Sequence, residues 1–398
     1  MIIITMIIIK RFEDEKRLKK LALPIFIYGR RKTGKTFLAK NFFKNALYFF
    51  VRRDRAIFYE RRNENIRYNE LLRIIEETNK TIIVDEFHRL GEEFLEFLHI
   101  KQPRNLVLIT STLNLAKKIL TKKTPILGLF LEFKLELIDE RDILINLKKR
   151  LKGRKLIEAA VYLREPLLLR FFKNEIDFNA LKLTVPALVG EIFEEEERTL
   201  SERYEGILRA IALGKSSLSE ITAYLYSNKL IKQQAPNMVN QYLKNLLDMG
   251  LIRRIKDYHR KAYHFFIHSP MIDLFYYLDE KYNFSEVELD KKYFNEKLPK
   301  HIEAFFRDLL AKLFKKRCFI ISKPGFEVDI VLGDFKKLSL VAEVKWKKEI
   351  TKKELENIEE KLNKFNCRKL LIVPDKKIVK KKLKNIEIWD VNDILKLV

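Results

Sequence analysis

The feature that most constrains this chain is a glycine-bounded run beside a short apolar segment. Residues 29–36 read Gly-Arg-Arg-Lys-Thr-Gly-Lys-Thr and fit the pattern G-x-x-x-x-G-K-[ST]. The apolar residues 25–28 predict a strand before it, and residues 36–43 predict a helix after it. A strand, a glycine loop and a helix in this order predict an α/β sheet whose loop binds phosphates, because backbone N–H groups and the helix start face the anion.

A second apolar strand carries acids at the spacing that such a loop requires. Residues 81–84 predict a buried strand that ends in Asp85 and Glu86. We expect Thr36 and Asp85 to hold Mg²⁺, and Glu86 to polarise the attacking water. Another predicted strand, 106–109, ends in three hydroxyl residues that either sense the γ-phosphate or cap the strand (Thr110, Ser111, Thr112). The predicted nucleotide-binding set is Gly29, Arg30, Arg31, Lys32, Thr33, Gly34, Lys35, Thr36 and Asp85.

Length and charge narrow the class of protein. The 398 residues predict about two or three domains, and 47% hydrophobic residues exclude wholesale disorder. The 80 Lys and Arg against 55 Asp and Glu give a net charge of +25, which suits a polyanionic partner. A lysine-rich or heat-adapted host explains the same excess equally well. The two cysteines, Cys318 and Cys367, exclude a disulfide framework and a cysteine-rich metal site and indicate a reducing compartment.

The apolar start of the chain is too short to cross a bilayer. Residues 1–9 lack a basic flank and a cleavage site, so they predict a core strand or a stretch that precedes a start at Met6. No other apolar run approaches the roughly 20 residues of a membrane helix. We therefore expect a cytoplasmic protein with no membrane partner.

The phosphate loop and its acids resemble a known family. The run Tyr28–Thr36, the strand end at Asp85-Glu86 and the hydroxyls at 110–112 resemble those of archaeal P-loop ATPases related to the AAA+ and STAND groups. The resemblance implies binding of ATP and Mg²⁺, ATP hydrolysis, and a nucleotide domain followed by a helical lid and a winged helix. The motifs themselves do not distinguish ATP from GTP.

The chain departs from that family in two places. Gly128 is followed by Leu129, where the family usually has an arginine that can serve as a cationic finger. Residues 163–166, Leu-Arg-Glu-Pro, replace the Gly-Gly-x-Pro element of the lid. The first departure leaves open whether a neighbouring subunit of a homo-oligomer completes the site.

The middle of the chain predicts a winged helix-turn-helix. Three helical patterns at 200–213, 218–226 and 236–248 precede a basic hairpin at 251–268. One interpretation is DNA binding, with the third helix in the major groove (Asn237, Asn240, Gln241, Lys244) and hairpin cations on phosphates (Arg253, Arg254, Lys256, Arg260, Lys261). The other is a rigid arm that packs on the nucleotide domain. His264 and His268 are interpreted as structural, since no acid lies at metal-ligand spacing.

The C-terminal segment predicts a second acidic site. Strands at 327–332 and 338–345 form a hairpin that brings Asp329 near Glu343, where the two carboxylates can hold a divalent metal. Lys345 would orient the attacking water, and Glu303 of the preceding helix could join them. The arrangement resembles the PD-(D/E)XK nuclease fold, although Val328 replaces the usual proline. Nearby lysines contact nucleic-acid phosphates or form a solvated face (345, 347, 348, 376, 377, 380–382).

These patterns predict one architecture and leave three functions open. The predicted α/β fold contains a P-loop domain (1–140), a helical lid (141–199), a winged helix (200–282) and a nuclease-like α/β domain (283–398). The leading interpretation is an ATPase that acts on or near DNA, with metal-dependent cleavage by Asp329, Glu343 and Lys345. The alternatives are a regulatory or defence switch whose nuclease-like domain only binds, and an ATPase that binds only proteins.

Overall fold

The amino-terminal part of the chain forms a mostly parallel sheet. The structure, a computed structural model, describes residues 7–121, 126, 128–173, 175–323, 325–335 and 337–398. Within them the first sheet has seven strands in the order β4-β3-β2-β5-β6-β1-β7, and the edge strands β3 and β4 run antiparallel. Its strands are β1 Ile25–Tyr28, β2 Leu47–Val51, β3 Ile57–Tyr59, β4 Glu64–Ile66, β5 Ile82–Asp85, β6 Leu106–Thr110 and β7 Leu131–Lys134.

Helices cover both faces of this sheet, which explains why its central strands are uniformly apolar. Strands β5 and β6 are buried along their whole length. The four predicted strands are present, whereas the strands β3, β4 and β7 were not predicted because each has only three or four residues. The surrounding helices are α1 Phe12–Leu18, α2 Lys35–Phe42, α3 Tyr68–Glu77, α4 Glu92–Lys101 and α5 Leu113–Thr121, with a 3-10 turn at Phe87–Leu90.

A helical segment follows the sheet and returns to it. It consists of α6 Glu140–Leu147, α7 Gly153–Leu163 and α8 Leu181–Glu195, with 3-10 turns at Pro166–Phe171 and Phe178–Ala180. Ile7 and Ile9 pack into the core of this segment as irregular backbone. The strand predicted over residues 1–9 is therefore not seen at 7–9, and residues 1–6 lie outside the described residues.

The middle segment has the predicted order of three helices and a hairpin. These elements are α9 Glu202–Ala212, α10 Leu218–Ser227, α11 Pro236–Asp248, β8 Ile252–Asp257 and β9 Tyr263–Ile267. A capping box formed by Ser217 and Glu220 fixes the start of α10. Pro236 occupies the first turn of α11, where its missing N–H costs nothing. The winged-helix assignment stays a prediction.

The C-terminal segment shares its sheet with the hairpin. Its elements are α12 Pro270–Tyr282, α13 Lys291–Phe294, α14 Leu298–Phe314, β10 Arg317–Lys323, β11 Phe326–Asp334, β12 Lys337–Val344, α15 Lys352–Asn363, β13 Arg368–Ile372, β14 Glu387–Trp389 and α16 Val391–Lys396. The strand order is β14-β13-β12-β11-β10-β8-β9, and β8 pairs parallel to β10. The second sheet thus crosses the boundary expected between residues 282 and 283.

One hydrophobic core runs through the last three segments. It extends from the lid helix α6 to α16 and includes residues of α9, α12 and α14. Phe306 of α14 packs on Trp346, whose indole N–H donates to Glu158 of α7 at 3.1 Å. The lid, the hairpin and the C-terminal sheet are therefore packed against one another. In the part of the chain that the structure describes, no helix has the length and apolar character needed to cross a membrane.

Candidate functional site

Two glycines shape the phosphate loop for different physical reasons. A side chain at Gly29 would place its Cβ 2.1 Å from the carbonyl oxygen of Leu135, so only glycine fits there. Gly34 has φ +90° at the start of α2, a left-handed conformation that glycine adopts without strain. Together they let the loop close against β7 and present the amino-terminal end of α2 to the cavity.

The loop lysine is held by backbone carbonyls. Lys35 Nζ donates to Gly29 O at 2.8 Å and to Arg30 O at 3.1 Å. Burial lowers the pKa of Lys35 to about 8, although Glu86 and Asp85 favour its charged form. A phosphate oxygen is a stronger acceptor for an ammonium group than a neutral carbonyl. The amine is therefore poised to exchange the carbonyls for an anionic ligand.

The predicted magnesium ligands contact each other directly. Thr36 Oγ1 donates to Asp85 Oδ2 at 2.6 Å, and Tyr48 OH donates to the same oxygen at 2.8 Å. Burial and the neighbouring Glu86 raise the pKa of Asp85. A hydroxyl and a carboxylate are the hard oxygen donors that Mg²⁺ prefers, so these residues fit that ion. Tyr48 was not predicted, since its strand gave no sign of a polar role.

The predicted catalytic acid lies at the end of β5. Glu86 has φ +56°, and its Oε1 accepts a hydrogen bond from Ser111 Oγ at 2.7 Å. Of the three hydroxyls that follow β6, Ser111 contacts this acid, whereas Thr110 pairs with His88 Nδ1 at 3.0 Å. The structure thus places Ser111, and not Thr110, beside the predicted water-polarising group.

The carboxyl-terminal end of α8 reaches back to this site, which the sequence did not predict. Arg31 donates to Glu191 and Glu195, each at 2.5 Å, and Arg89 Nη2 lies 3.2 Å from Glu195. The ligand atoms of Glu86, His88 and Glu195 lie within 4.8 Å of one another. The run of four glutamates at 194–197 in a basic chain was the available signal.

A second lid contact holds the other loop arginine. Arg30 Nη2 donates to Glu165 Oε2 at 2.5 Å, and Ser269 Oγ donates to the same oxygen at 2.8 Å. Glu165 is fully buried. It lies in the Leu-Arg-Glu-Pro sequence that replaces the lid motif of the resembling family, so this departure has a structural use.

A cavity of about 600 Å³ opens between the phosphate loop and residues 166–170 of the helical segment. Its lining includes the polar side chains of Lys35, Thr36, Glu86 and Ser111, and also isoleucines and leucines (Ile7, Ile9, Ile138, Leu167, Leu169). This volume lies in the usual range for small-molecule sites. The cavity therefore suits a ligand with an anionic tail and a flat apolar head.

The structure also brings the predicted C-terminal acids together. Asp329 Oδ2 accepts from the backbone N–H of Val344 at 2.8 Å, and the buried Glu343 approaches the N–H of Asp329 at 3.5 Å. Lys345 Nζ lies 2.9 Å from Glu343 and 3.8 Å from Asp329. The antiparallel register, with Ile330 opposite Ala342, produces this juxtaposition.

Glu303 and two further lysines complete that cluster. Burial, and then the charge of Asp329, raise the pKa of Glu303 to about 7. Lys300 Nζ donates to Glu303 at 2.9 Å, and Lys361 Nζ lies 2.5 Å from Glu343. These two lysines were not predicted as members of the site. Lysine is so frequent in this chain that its presence at one position gives no signal.

Most of the residues predicted to contact nucleic acid are exposed, whereas one of them is paired with an acid of the protein. Asn237, Asn240, Gln241 and Lys244 lie on the exposed face of α11, and four hairpin cations are exposed (Arg254, Lys256, Arg260, Lys261). The expectation for Arg253 is wrong. Its Nη1 donates to Asp308 at 2.6 Å, and the partly buried pair ties the hairpin to α14.

Of the two histidines of the hairpin, His264 has side-chain partners and His268 is affected chiefly by burial. His264 Nδ1 pairs with Ser216 Oγ at 2.9 Å, and its other ring nitrogen lies 3.4 Å from Asp257. Burial lowers the pKa of His268 to about 3. Two of the C-terminal lysines are also paired on the surface, Lys376 with Asp393 at 2.7 Å and Lys381 with Glu359 at 3.1 Å.

The fold of this chain is similar to that of several solved structures. A Walker-type ATPase of Pyrococcus abyssi is 21% identical, with a TM-score of 0.50 over 70% of this chain and 96% of that chain. The ORC2 protein of Aeropyrum pernix, solved as ADPNP-ADP complexes, is 15% identical over 74% of this chain and 92% of that chain, with a TM-score of 0.40.

A STAND-class ATPase of Pyrococcus horikoshii is 17% identical over 78% of this chain and 45% of that chain, with a TM-score of 0.30. No curated protein sequence matches the chain. Residues 22–135 match the family model described as an AAA domain. The family match indicates an AAA domain over this segment, and the P. abyssi likeness shows a similar fold.

Proposed function

We propose that the cavity beside the phosphate loop binds ATP with Mg²⁺ and hydrolyses it. The observation that carries this proposal is the contact between Thr36 and Asp85 at 2.6 Å, in the same cavity as the Lys35 amine. A cation site and an anion site side by side suit a metal-bound polyphosphate. The isoleucines and leucines of the lining would accommodate the base.

Each residue has a separate task in this proposal. Lys35 exchanges its carbonyl partners for the β- and γ-phosphates, and the backbone of residues 29–34 supports the same groups. Thr36 and Asp85 would hold Mg²⁺, which neutralises phosphate charge when bound. Glu86, oriented by Ser111, accepts the proton of the water whose oxygen bonds to the γ-phosphorus as the bridging P–O bond breaks.

Nucleotide binding is tested by calorimetry with Thr36→Ala and Lys35→Ala. Lys44→Ala is the matched control, because Lys44 is exposed and lies just after α2, outside the motif. We expect wild type and control to bind ATP with Mg²⁺ in equal measure and both loop variants to lose binding. Equal binding by all four proteins would contradict the proposal.

DNA is the polyanion that we propose as partner. The net charge of +25 and the exposed polar face of α11 beside the cationic hairpin support it. Binding to duplex DNA should weaken steeply between about 50 and 200 mM salt. Lys244→Ala and Arg260→Ala should reduce the steepness, whereas affinity that ignores salt would favour a protein partner.

A second candidate function is metal-dependent cleavage of phosphodiesters. The observation that favours it is the convergence of Asp329, Glu343 and Lys345, with Glu303 beside them. Asp329 and Glu343 would hold the metal, which supplies charge neutralisation at the phosphate when bound. Lys345 would orient the attacking water.

Cleavage is tested on supercoiled plasmid with Mg²⁺ or Mn²⁺, with and without ATP. Asp329→Asn is compared with Asp334→Asn, which alters an exposed acid on the same strand β11. Nicking lost only in the first variant would support cleavage. Intact plasmid with a wild type that still binds ATP would favour the nucleotide-dependent switch.

We also propose that the chain divides into domains at 140/141, 199/200 and 282/283.

A further inference from the structure

Three parts of the phosphate site converge on one carboxylate of the lid. Glu195, the last residue of α8, accepts from Arg31 Nη1 at 2.5 Å and lies 3.2 Å from Arg89 Nη2 and 2.7 Å from Ser111 Oγ. Its side chain is only 5% exposed. These contacts come from the phosphate loop, from the turn after the catalytic acid and from the end of β6.

The two arginines are fixed by more than this one contact. Arg89 Nη1 also donates to the carbonyl oxygen of Val51 at 2.8 Å, and Arg31 Nε donates to Glu191 at 2.5 Å. Guanidinium groups held in this way lose little conformational freedom when they meet a ligand.

Both guanidiniums face the nucleotide cavity. Arg31 and Arg89 line it together with Lys35, Glu86 and Ser111. Glu86 is the group that acts on the attacking water in the proposed reaction, so this is the γ-phosphate end of the cavity. The chain therefore has two fixed cations at the place where negative charge moves during hydrolysis.

We propose that Glu195 is a positioning residue that holds Arg31 and Arg89 at the γ-phosphate, so that one chain supplies its own cationic groups for hydrolysis. The inference rests on the proposed ATPase function. It also accounts for the position after Gly128, where Leu129 stands in place of an arginine. A neighbouring subunit is then not needed to complete the site.

The first test compares steady-state ATP hydrolysis by Arg89→Ala, Glu195→Gln and Glu194→Gln. Loss of one preorganised donor lowers kcat on the order of 10²-fold, which we expect for Arg89→Ala. Glu195→Gln should lower kcat by about tenfold with KM nearly unchanged, because the arginines lose the carboxylate that orients them. Thermal stability should also fall, because two guanidiniums lose a buried counter-charge. Glu194 pairs with Arg53 on the exposed side of the same helix, so its variant is the control.

Two outcomes would overturn the role of Glu195. If Glu195→Gln raises kcat, the carboxylate is an inhibitory latch. If kcat stays unchanged while thermal stability falls, it only anchors the lid. Arg89→Lys keeps the positive charge on a shorter side chain. We expect its kcat to be higher than that of Arg89→Ala.

The second test asks whether the arginines act within one chain. Lys35→Ala, which keeps both arginines but lacks the loop amine, is mixed with Arg89→Ala. We expect no recovery of hydrolysis on mixing and a wild-type specific activity independent of protein concentration. Recovery on mixing would overturn this inference and leave the proposed function standing, whereas a wild type that binds no ATP would overturn the proposed function itself.

Discussion

The two candidate sites each contain a lysine among acids, but the lysines differ in their surroundings. Backbone carbonyls hold Lys35, and burial lowers its pKa to about 8. Burial also acts against the charge of Lys345, yet the carboxylates of Glu343 and Asp329 outweigh it and raise the pKa of Lys345. The ammonium group of Lys35 therefore has neutral carbonyl partners, whereas that of Lys345 has carboxylate partners.

This difference indicates which ligand each site can take directly. In the nucleotide site the acids Asp85 and Glu86 are held by hydroxyls, so the lysine stays available for an incoming phosphate. In the C-terminal site the carboxylates already have lysine partners (Lys300 with Glu303; Lys345 and Lys361 with Glu343). An anion can enter the first site without displacing a charged group, whereas a metal ion must displace ammonium groups from the second.

The largest expected effect follows from removing the lysine that lacks a carboxylate partner. We expect Lys35→Ala to weaken ATP binding by about three orders of magnitude, or ~4 kcal/mol, since a desolvated charge contact is lost. Lys345→Ala should leave ATP affinity unchanged. Calorimetric titration of ATP with Mg²⁺ measures both, and a loss below about tenfold for Lys35→Ala would show that the two lysines are not functionally distinct.

The second largest expected effect concerns the ion pair between Arg30 of the phosphate loop and Glu165 of the helical segment that follows the first sheet. Glu165 accepts from the phosphate-loop Arg30 and from Ser269 at the start of α12. We expect Glu165→Gln to lower the free energy of unfolding by about 3 kcal/mol, because the buried guanidinium loses its counter-charge. Glu64→Gln, in an exposed pair with Arg62, should cost less than about 0.5 kcal/mol. Denaturant unfolding measures the loss of stability in each variant. If both losses are small and equal, the phosphate loop and the helical segment are held together by apolar packing alone.

A smaller effect would sharpen the difference in metal access. Lys361→Ala removes an ammonium group 2.5 Å from Glu343, so we expect Mn²⁺ to bind about tenfold more tightly, a gain of ~1.4 kcal/mol. Lys364→Ala, directly after the end of the same helix, is the control, because Lys364 is exposed and pairs with Glu360. Electron paramagnetic resonance of Mn²⁺ measures the affinities, with Asp85→Asn as background to remove a proposed metal ligand of the nucleotide site. Unchanged or weaker binding would mean that Lys361 does not compete with the metal.

Much of the nucleotide site could be predicted because its residues are close in sequence or end adjacent strands. Lys35, Thr36 and Asp85 meet where the motif and the parallel strands require. Glu165 and Glu195 could not be predicted as its partners, since 135 and 164 residues separate them from the arginines they bind. Arg253 was assigned to a phosphate because strand periodicity does not reveal that α14 supplies Asp308.

The C-terminal site shows the same limit. Asp329 and Glu343 lie on a hairpin, so alternation along two neighbouring strands was sufficient to pair them. The helix α15, which contributes Lys361, approaches only through tertiary packing. A sequence pattern indicates which residues share a face of one element, but not which element covers that face.

The smallest effect follows from the lowered pKa of Lys35. The ammonium form binds phosphate, so a bound nucleotide raises the pKa of Lys35 and binding takes up a proton at pH values above about 8. Affinity for ATP should therefore fall as pH rises, by about threefold between pH 7.5 and 8.5, a range in which the phosphates of ATP are already ionised. Calorimetry in buffers of different ionisation enthalpy measures the proton uptake directly. The pKa of Lys345 is raised instead, so Mn²⁺ binding at the C-terminal site should show no matching decline. A flat affinity for ATP across this range would mean that the buried amine keeps its proton, and that the contrast between the two lysines lies in geometry and not in charge.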